Sequence, residues 1–318
     1  MYQYVETVAN SGNDFFKGDL IMRKVLLATT ALVAISVTAA QADITIGGTA
    51  EFEMYNPDSG SQTFKPDGSL VVTATNTTDS GMTIKAVVDR KFEGSDTSGS
   101  MDAASDLVTS ISSDTNDAYI EIGGDFGTIR LGATDDALDR NDGSTGQTMT
   151  NGPLVTSSLA YTALGGDRTA ISYETPSING LKIYGSVEAD GAYTGAGIKY
   201  SIGGVNFYGQ QTSLGASDAD GTSVGASFSA GGITFGMAST QRTDKTKAND
   251  IGATYSMGEI EMTATSGRGT KGSSKDSYTS ISAVYTVAPG LKLIAETAQT
   301  KKNAVSKNYT WANVVVSF

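Results

Sequence analysis

The residues of this chain that could do chemistry are carboxylates and cations. Four aspartates, Asp135, Asp136, Asp139 and Asp142, crowd one stretch and are interrupted by Arg140. Carboxylates at this density could hold calcium, which takes oxygen ligands, but the run lacks the regular spacing of a calcium-binding loop. A solvated loop kept soluble by its charges is the plainer alternative. Glu259 and Glu261 stand two apart and could divide general acid and base work. Two same-face neighbours on a strand serve as simple surface charges far more often. The absences are sharper. The chain has no histidine and no cysteine, which removes Ser-His and Cys-His nucleophile pairs, His-bearing zinc sites, thiolate metal sites and disulfides.

The elements that must carry these groups read with period two. In the first, Ile44, Ile46, Gly48, Ala50, Phe52 and Met54 alternate with Asp43, Thr45, Gly47, Thr49, Glu51 and Glu53. One face is apolar and one polar, the pattern of a half-buried strand. A repeat follows in the second half. Tyr173, Tyr200, Phe228, Tyr255 and Tyr285 recur 27, 28, 27 and 30 residues apart, each before a glycine-containing turn and another alternating strand. The repeating unit is a hairpin. Extended along the chain, the pattern predicts strands over 43–54, 69–78, 82–92, 116–123, 126–133, 168–176, 180–188, 193–201, 204–213, 221–230, 232–241, 249–256, 258–266, 277–287, 290–300 and 308–318. Short turns such as Gly203-Gly204 and Ala288-Pro289-Gly290 alternate with longer connections.

The two strand faces differ in charge. The apolar face of these stretches carries Arg90 near one rim and otherwise almost no charge. The other carries Glu51, Lys85, Asp89, Glu121, Arg130, Glu174, Lys182, Glu188, Lys199, Glu259, Glu261, Lys292 and Glu296. Such segregation fits a sheet with hydrocarbon on one side and water on the other, because a charge facing lipid is costly. A soluble sandwich also alternates but needs large side chains on its inner faces; here many apolar-face positions are small, including Gly185, Gly209, Ala253 and Ala264. With the amino terminus on the inner side, the five repeating aromatics fall near the inner ends of descending strands, a belt where amphipathic rings are favoured.

The amino terminus supplies an address. Met22-Arg23-Lys24 is basic, Val25 to Val37 is uncharged, and Ala40-Gln41-Ala42 is a small-x-small cleavage site. Residues 22–42 therefore read as a signal peptide, with the mature chain starting at Asp43. The apolar run is too short for a spanning helix. Residues 1–21 read as an upstream extension from an early start, outside the natural product. The net charge of −12 disfavours nucleic acid, whose phosphates are held by Lys and Arg.

Three features now resemble a known family, the general diffusion porins of Gram-negative outer membranes, in particular the short alphaproteobacterial type. Asp117 to Gly132 (DAYIEIGGDFGTIRLG) looks like the strand, turn and strand before that family's constriction loop. Tyr173 to Gly180 (YETPSING) resembles the tyrosine, proline turn and glycine that follow it. The terminal Phe318 is similar to the signal read by the outer-membrane assembly machinery.

The resemblance spans 43–318 and implies an all-β transmembrane antiparallel 16-stranded up-and-down barrel, assembled as a homotrimer. Its third external loop, about 134–167, would fold inward. It implies passive diffusion of small hydrophilic solutes and ions, outer-membrane lipid and lipopolysaccharide as surroundings, and no catalysis. Asp135, Asp136, Asp139 and Asp142 then become the acidic side of a constriction, with weak cation preference. Lys85, Arg130 and Arg168 become the opposing basic wall. The family often places arginine after the glycine at 132, where this chain has Ala133, so part of that wall is absent. An outer-membrane adhesin or surface-interaction protein is the alternative.

Overall fold

The computed structural model describes residues 42–93, 117–142, 149, 160, 162–189, 191–215 and 220–318. The expected signal peptide and upstream extension lie outside these residues, except for Ala42. The strands, in chain order, are β1 (Asp43–Pro57), β2 (Thr63–Thr77), β3 (Thr83–Glu93), β4 (Ala118–Gly124), β5 (Gly127–Asp135), β6 (Asp167–Glu174), β7 (Leu181–Glu188) and β8 (Tyr193–Ile202). They continue as β9 (Val205–Leu214), β10 (Gly221–Ala230), β11 (Ile233–Arg242), β12 (Lys247–Met257), β13 (Ile260–Lys271), β14 (Ser274–Ala288), β15 (Leu291–Lys302) and β16 (Val305–Ser317).

Each strand pairs antiparallel with its chain neighbours, and β1 also pairs with β16, so the sheet closes into a barrel. The seam is tied at its inner end, where the Gly48 N–H donates to the Phe318 carbonyl and the Phe318 N–H to the Gly48 carbonyl, both at 3.1 Å. Closure matters because an open sheet edge leaves a row of unpaired backbone groups. Several inner-end hairpins turn on glycine for a definite reason. Gly203 and Gly204 have φ of 57° and 83°, and Gly231 and Gly232 have 58° and 79°, the positive values that a type I′ turn requires at both positions.

The faces follow the alternation. Ile44, Ile46, Phe52, Ile183, Ile198, Phe235 and Ile281 are exposed on the outside, while Ser172, Ser186, Thr212, Ser223, Thr240, Thr263 and Ser282 are buried inside. An interior of hydroxyls under an apolar exterior inverts a soluble sandwich. The interior aromatics are fitted by glycine. Tyr184, Tyr208 and Tyr278 lie directly opposite Gly197, Gly225 and Gly267 on the neighbouring strand, where an added Cβ would collide with each ring. Tyr173, Tyr200, Phe228, Tyr255, Tyr285 and Phe318 are all exposed on the outward face.

All sixteen expected strands are present, but several run further than the alternation suggested. The expected connections at 267–276 and 301–307 are strand except for the turns Gly272-Ser273 and Asn303-Ala304. Among the described residues the connections at 243–246, 272–273 and 303–304 are short turns. The cause is physical: where the wall stands clear of the apolar belt both faces are polar, so the two-residue period vanishes. The same extension corrects the charge count, because Lys247, Arg268, Lys275 and Lys301, and Asp135 and Asp167 at the ends of β5 and β6, join Arg90 on the outward face.

Replacing Ile183 by Arg should destabilise the barrel by about 2–4 kcal/mol if the position meets the lipid midplane. Replacing the adjacent inward Lys182 by Glu should change stability little. Refolding titrations into lipid vesicles compare the two; equal losses would contradict the face assignment.

Candidate functional site

The interior is organised by the connection between β5 and β6, of which 136–142, 149, 160 and 162–166 are described. Its base is closed by the Asp136 N–H donating to the Gly166 carbonyl at 3.0 Å. The Asp136 side chain has no solvent exposure. Its Oδ1 accepts the N–H groups of Leu138 and Asp139 at 2.8 and 2.9 Å, holding a single 3₁₀ turn over Asp139–Asn141. Its Oδ2 accepts Arg168 Nε at 3.3 Å. This Asp therefore turns the chain and anchors it to β6.

Two limbs of the connection meet inward side chains of the wall. In the first, the Ala137 N–H donates to Ser186 Oγ at 2.8 Å, and Gln210 Nε2 donates to the Leu138 carbonyl at 2.8 Å. Leu138 and Ala137 pack with Leu164 and Tyr184. In the second, the Thr162 hydroxyl donates to Asp250, and its carbonyl accepts Thr240 Oγ1 and, at 3.2 Å, Ser223 Oγ. Arg242 donates to the Ala163 carbonyl at 3.1 Å, and Ala160 packs on Tyr278.

The cations of the facing wall share few carboxylates. Glu121 accepts Lys85 at 2.9 Å and Arg130 at 2.7 Å. Glu174 accepts Arg140 at 2.8 Å and Lys182 at 3.2 Å. Lys182 stands directly opposite Lys199 in the β7–β8 register, an arrangement that destabilises a sheet unless something offsets it. Glu121, Arg130, Arg140, Glu174, Lys182 and Lys199 line one recess of about 520 Å³. Arg168 is held separately: it bonds Asp136 and Glu188 and lies 3.8 Å over the Tyr193 ring.

The structure thus brings Lys85 and Arg130 together and joins Asp136 to Arg168, but it does not gather the four aspartates on one surface. Asp135 ends β5 opposite Asp167, and its carbonyl accepts Arg140. Asp142 is buried; burial, then the nearby Asp139, pushes its carboxyl up to about 8. Asp139 is pushed up to about 6 by burial and by Asp135 and Asp136. Among the described residues no three carboxylates are grouped as metal ligands. Glu259 lies in the turn before β13 and Glu261 on that strand. The anchoring roles of Gln210, Asp250 and Thr240 were absent from the sequence reading. Strand parity points each inward, but only the folded connection supplies their partners.

Because the raised Asp142 keeps its proton in the fold and loses it on unfolding, its contribution is complete below about pH 4. That contribution falls as pH rises through about 8. Thermal midpoints should therefore drop between pH 5 and pH 9, and Asp142→Asn should flatten the drop. Circular dichroism melts at the two pH values check this; equal slopes would contradict the buried carboxyl.

The model for a family described as Gram-negative porin matches residues 28–304. A double variant of the Rhodopseudomonas blastica porin superposes with a TM-score of 0.67 at 17% identity, covering 87% of this chain and 100% of that one. A triple variant of the same porin gives 0.66 at 16%, with the same coverage. A loop-deleted form of OmpT, an outer membrane protein of Vibrio cholerae, gives 0.65 at 12%, covering 87% of this chain and 99% of that one. These identities establish likeness of fold alone. No curated protein sequence matches the chain.

Proposed function

The chain belongs to the Gram-negative porin family, and we propose that it passes small hydrophilic solutes and ions by passive diffusion, with a weak preference for cations. It is an outer-membrane porin channel, and family and fold point to a channel rather than an enzyme. The observation that carries the finer reading is the attachment of both limbs of the 136–166 connection to inward residues of β6 to β14. We read this connection as the inward-folded loop that narrows the pore.

Asp139 and Asp142 stand on its acidic side, with Asp136 held by Arg168 and Asp135 at the end of β5 opposite Asp167, and Lys85, Arg130 and Arg168 form the basic wall. Fixed charges beside a narrow aqueous path set the local ion concentration. The preference is modest because Asp136 is paired with Arg168 and Asp142 holds its proton near neutral pH. The cations crowded on Glu121 and Glu174 oppose it further.

The rest of the proposal follows the family. Residues 22–42 direct export, and Phe318 is read by the assembly machinery. The aromatics Tyr173, Tyr200, Phe228, Tyr255 and Tyr285 form the inner-interface belt. The working form is a homotrimer in outer-membrane lipid and lipopolysaccharide. Turns as tight as Gly272-Ser273 and Asn303-Ala304 offer little surface for an adhesin.

The reversal potential under a potassium chloride gradient tests the selectivity. It should favour potassium weakly at pH 7 and more strongly at pH 9, as Asp139 and Asp142 ionise. Asp139→Asn should reduce the gain seen between pH 5 and pH 7. A chloride-preferring pore, or selectivity independent of pH and of Asp139, would contradict the assignment.

A further inference from the structure

The recess of about 520 Å³ on the inward wall of β4 to β8 holds more cations than carboxylates. Arg130, Arg140, Lys182 and Lys199 line it against Glu121 and Glu174, an excess of two positive charges. The oxygens of both carboxylates are already taken. Those of Glu121 accept Lys85 and Arg130, and those of Glu174 accept Arg140 and Lys182. Lys199 is left over: among the described residues it forms no ion pair. It directly opposes Lys182 in the β7–β8 register, a placement that sets the two Cβ atoms about 5 Å apart. Asp142 lies near enough to feel the Lys199 charge, but burial pushes its carboxyl up to about 8, so it is mostly neutral near pH 7.

The recess also has a definite height in the barrel. Lys182 lies near the start of β7 and Lys199 near the end of β8, both close to inner-end turns. Arg140 and Asn141 of the 3₁₀ turn close it from the outer side. That turn is held there because Ala137 and Leu138 are tied to Ser186 and Gln210, further up the wall. A solute that has crossed the connection therefore meets this recess next. Thr128, Ser177 and Ser201 add hydroxyls on its inner side. Sites of roughly 300–1,000 Å³ take whole small molecules, more than a bare oxyanion fills.

We propose that this recess is a subsite for small phosphate monoesters of sugars or polyols. The phosphate sits among Lys182, Lys199 and Arg140, and the hydroxyls of the solute face Thr128, Ser177 and Ser201. The inference rests on the water-filled path proposed above, which brings the solute to the recess. An ester phosphate carries a charge of about −1.5 to −2 on one group with three acceptor oxygens. That suits two lysines that face each other and lack a carboxylate between them. A dicarboxylate splits the same charge between two ends, and a neutral sugar leaves the surplus unmatched. The aspartates of the connection act on ions crossing it, whereas the recess acts on what has crossed.

The test uses the full mature chain refolded in detergent and titrated calorimetrically, at pH 7 and low salt, with glucose 6-phosphate, glucose and succinate. Glucose 6-phosphate should bind, succinate should bind more weakly, and glucose should not bind. Added salt should weaken the ester's binding by screening. Lys182→Gln and Lys199→Gln should each weaken it about tenfold, the effect of losing one hydrogen bond to a charged group. Lys199→Arg should keep most of it, and the inward Lys292→Gln should leave it unchanged. Circular dichroism checks that each variant folds before it is titrated. Equal affinity for the ester and glucose, or for the ester and succinate, would overturn the proposal. So would unchanged ester affinity in both single glutamine variants. A protein that binds the ester but conducts no ions in a bilayer would contradict the channel reading and leave this inference standing. One that conducts and binds no ester would contradict this inference alone.

Discussion

Backbone N–H and C=O groups surrounded by hydrocarbon find no water, so each must be bonded within the protein. For a chain whose strands carry so many outward Ile, Val and Phe side chains, that requirement dictates closure. Every strand has two partners, and the last one is supplied when β16 meets β1 along Thr49↔Ser317 to Pro57↔Tyr309. A terminal residue completes the seam: Phe318 exchanges backbone bonds with Gly48. Without those contacts β1 and β16 would present open edges at the membrane.

Closure around a circle this large leaves an interior that side chains of the wall cannot fill, unlike an eight-stranded barrel. The chain answers with hydroxyls, amides and charges on the inward face and with one long connection. That connection brings its own polar groups, and the wall must satisfy them. Asp136, with no exposure, turns the backbone while bonding Arg168. Thr162 bridges to Asp250 and Thr240. The same burial that secures the connection mutes its charge: the carboxyl of Asp142 is pushed up to about 8. Anchoring and selectivity therefore draw on one set of aspartates and work against each other.

How much of this was legible in the sequence follows from where alternation survives. Ile44 to Met54 announces a strand because apolar and polar side chains meet different solvents. Arg268 and Lys275 fall in an expected connection because, above the apolar belt, both faces of β13 and β14 carry polar side chains and no period of hydropathy remains. The inward direction of Lys85, Arg130 and Arg168 follows from parity. Parity carries no height and no partner, so the sharing of Glu121 by Lys85 and Arg130 emerged only once β3, β4 and β5 were paired. The burial of Asp136 and Asp142 was invisible for the same reason. A run of aspartates reads as a solvated surface until the residues that cover it are brought in from distant strands.

The central claim is that a water-filled path crosses this barrel and is narrowed by the 136–166 connection. Single-channel current in a planar lipid bilayer addresses it most directly, comparing the wild type with Thr162→Ala, which removes the hydroxyl donated to Asp250. The account predicts discrete, voltage-independent steps for the wild type and larger or noisier steps once that limb is loosened. A wild-type protein that refolds into the bilayer without conducting, or a Thr162→Ala channel with unaltered steps, would contradict it.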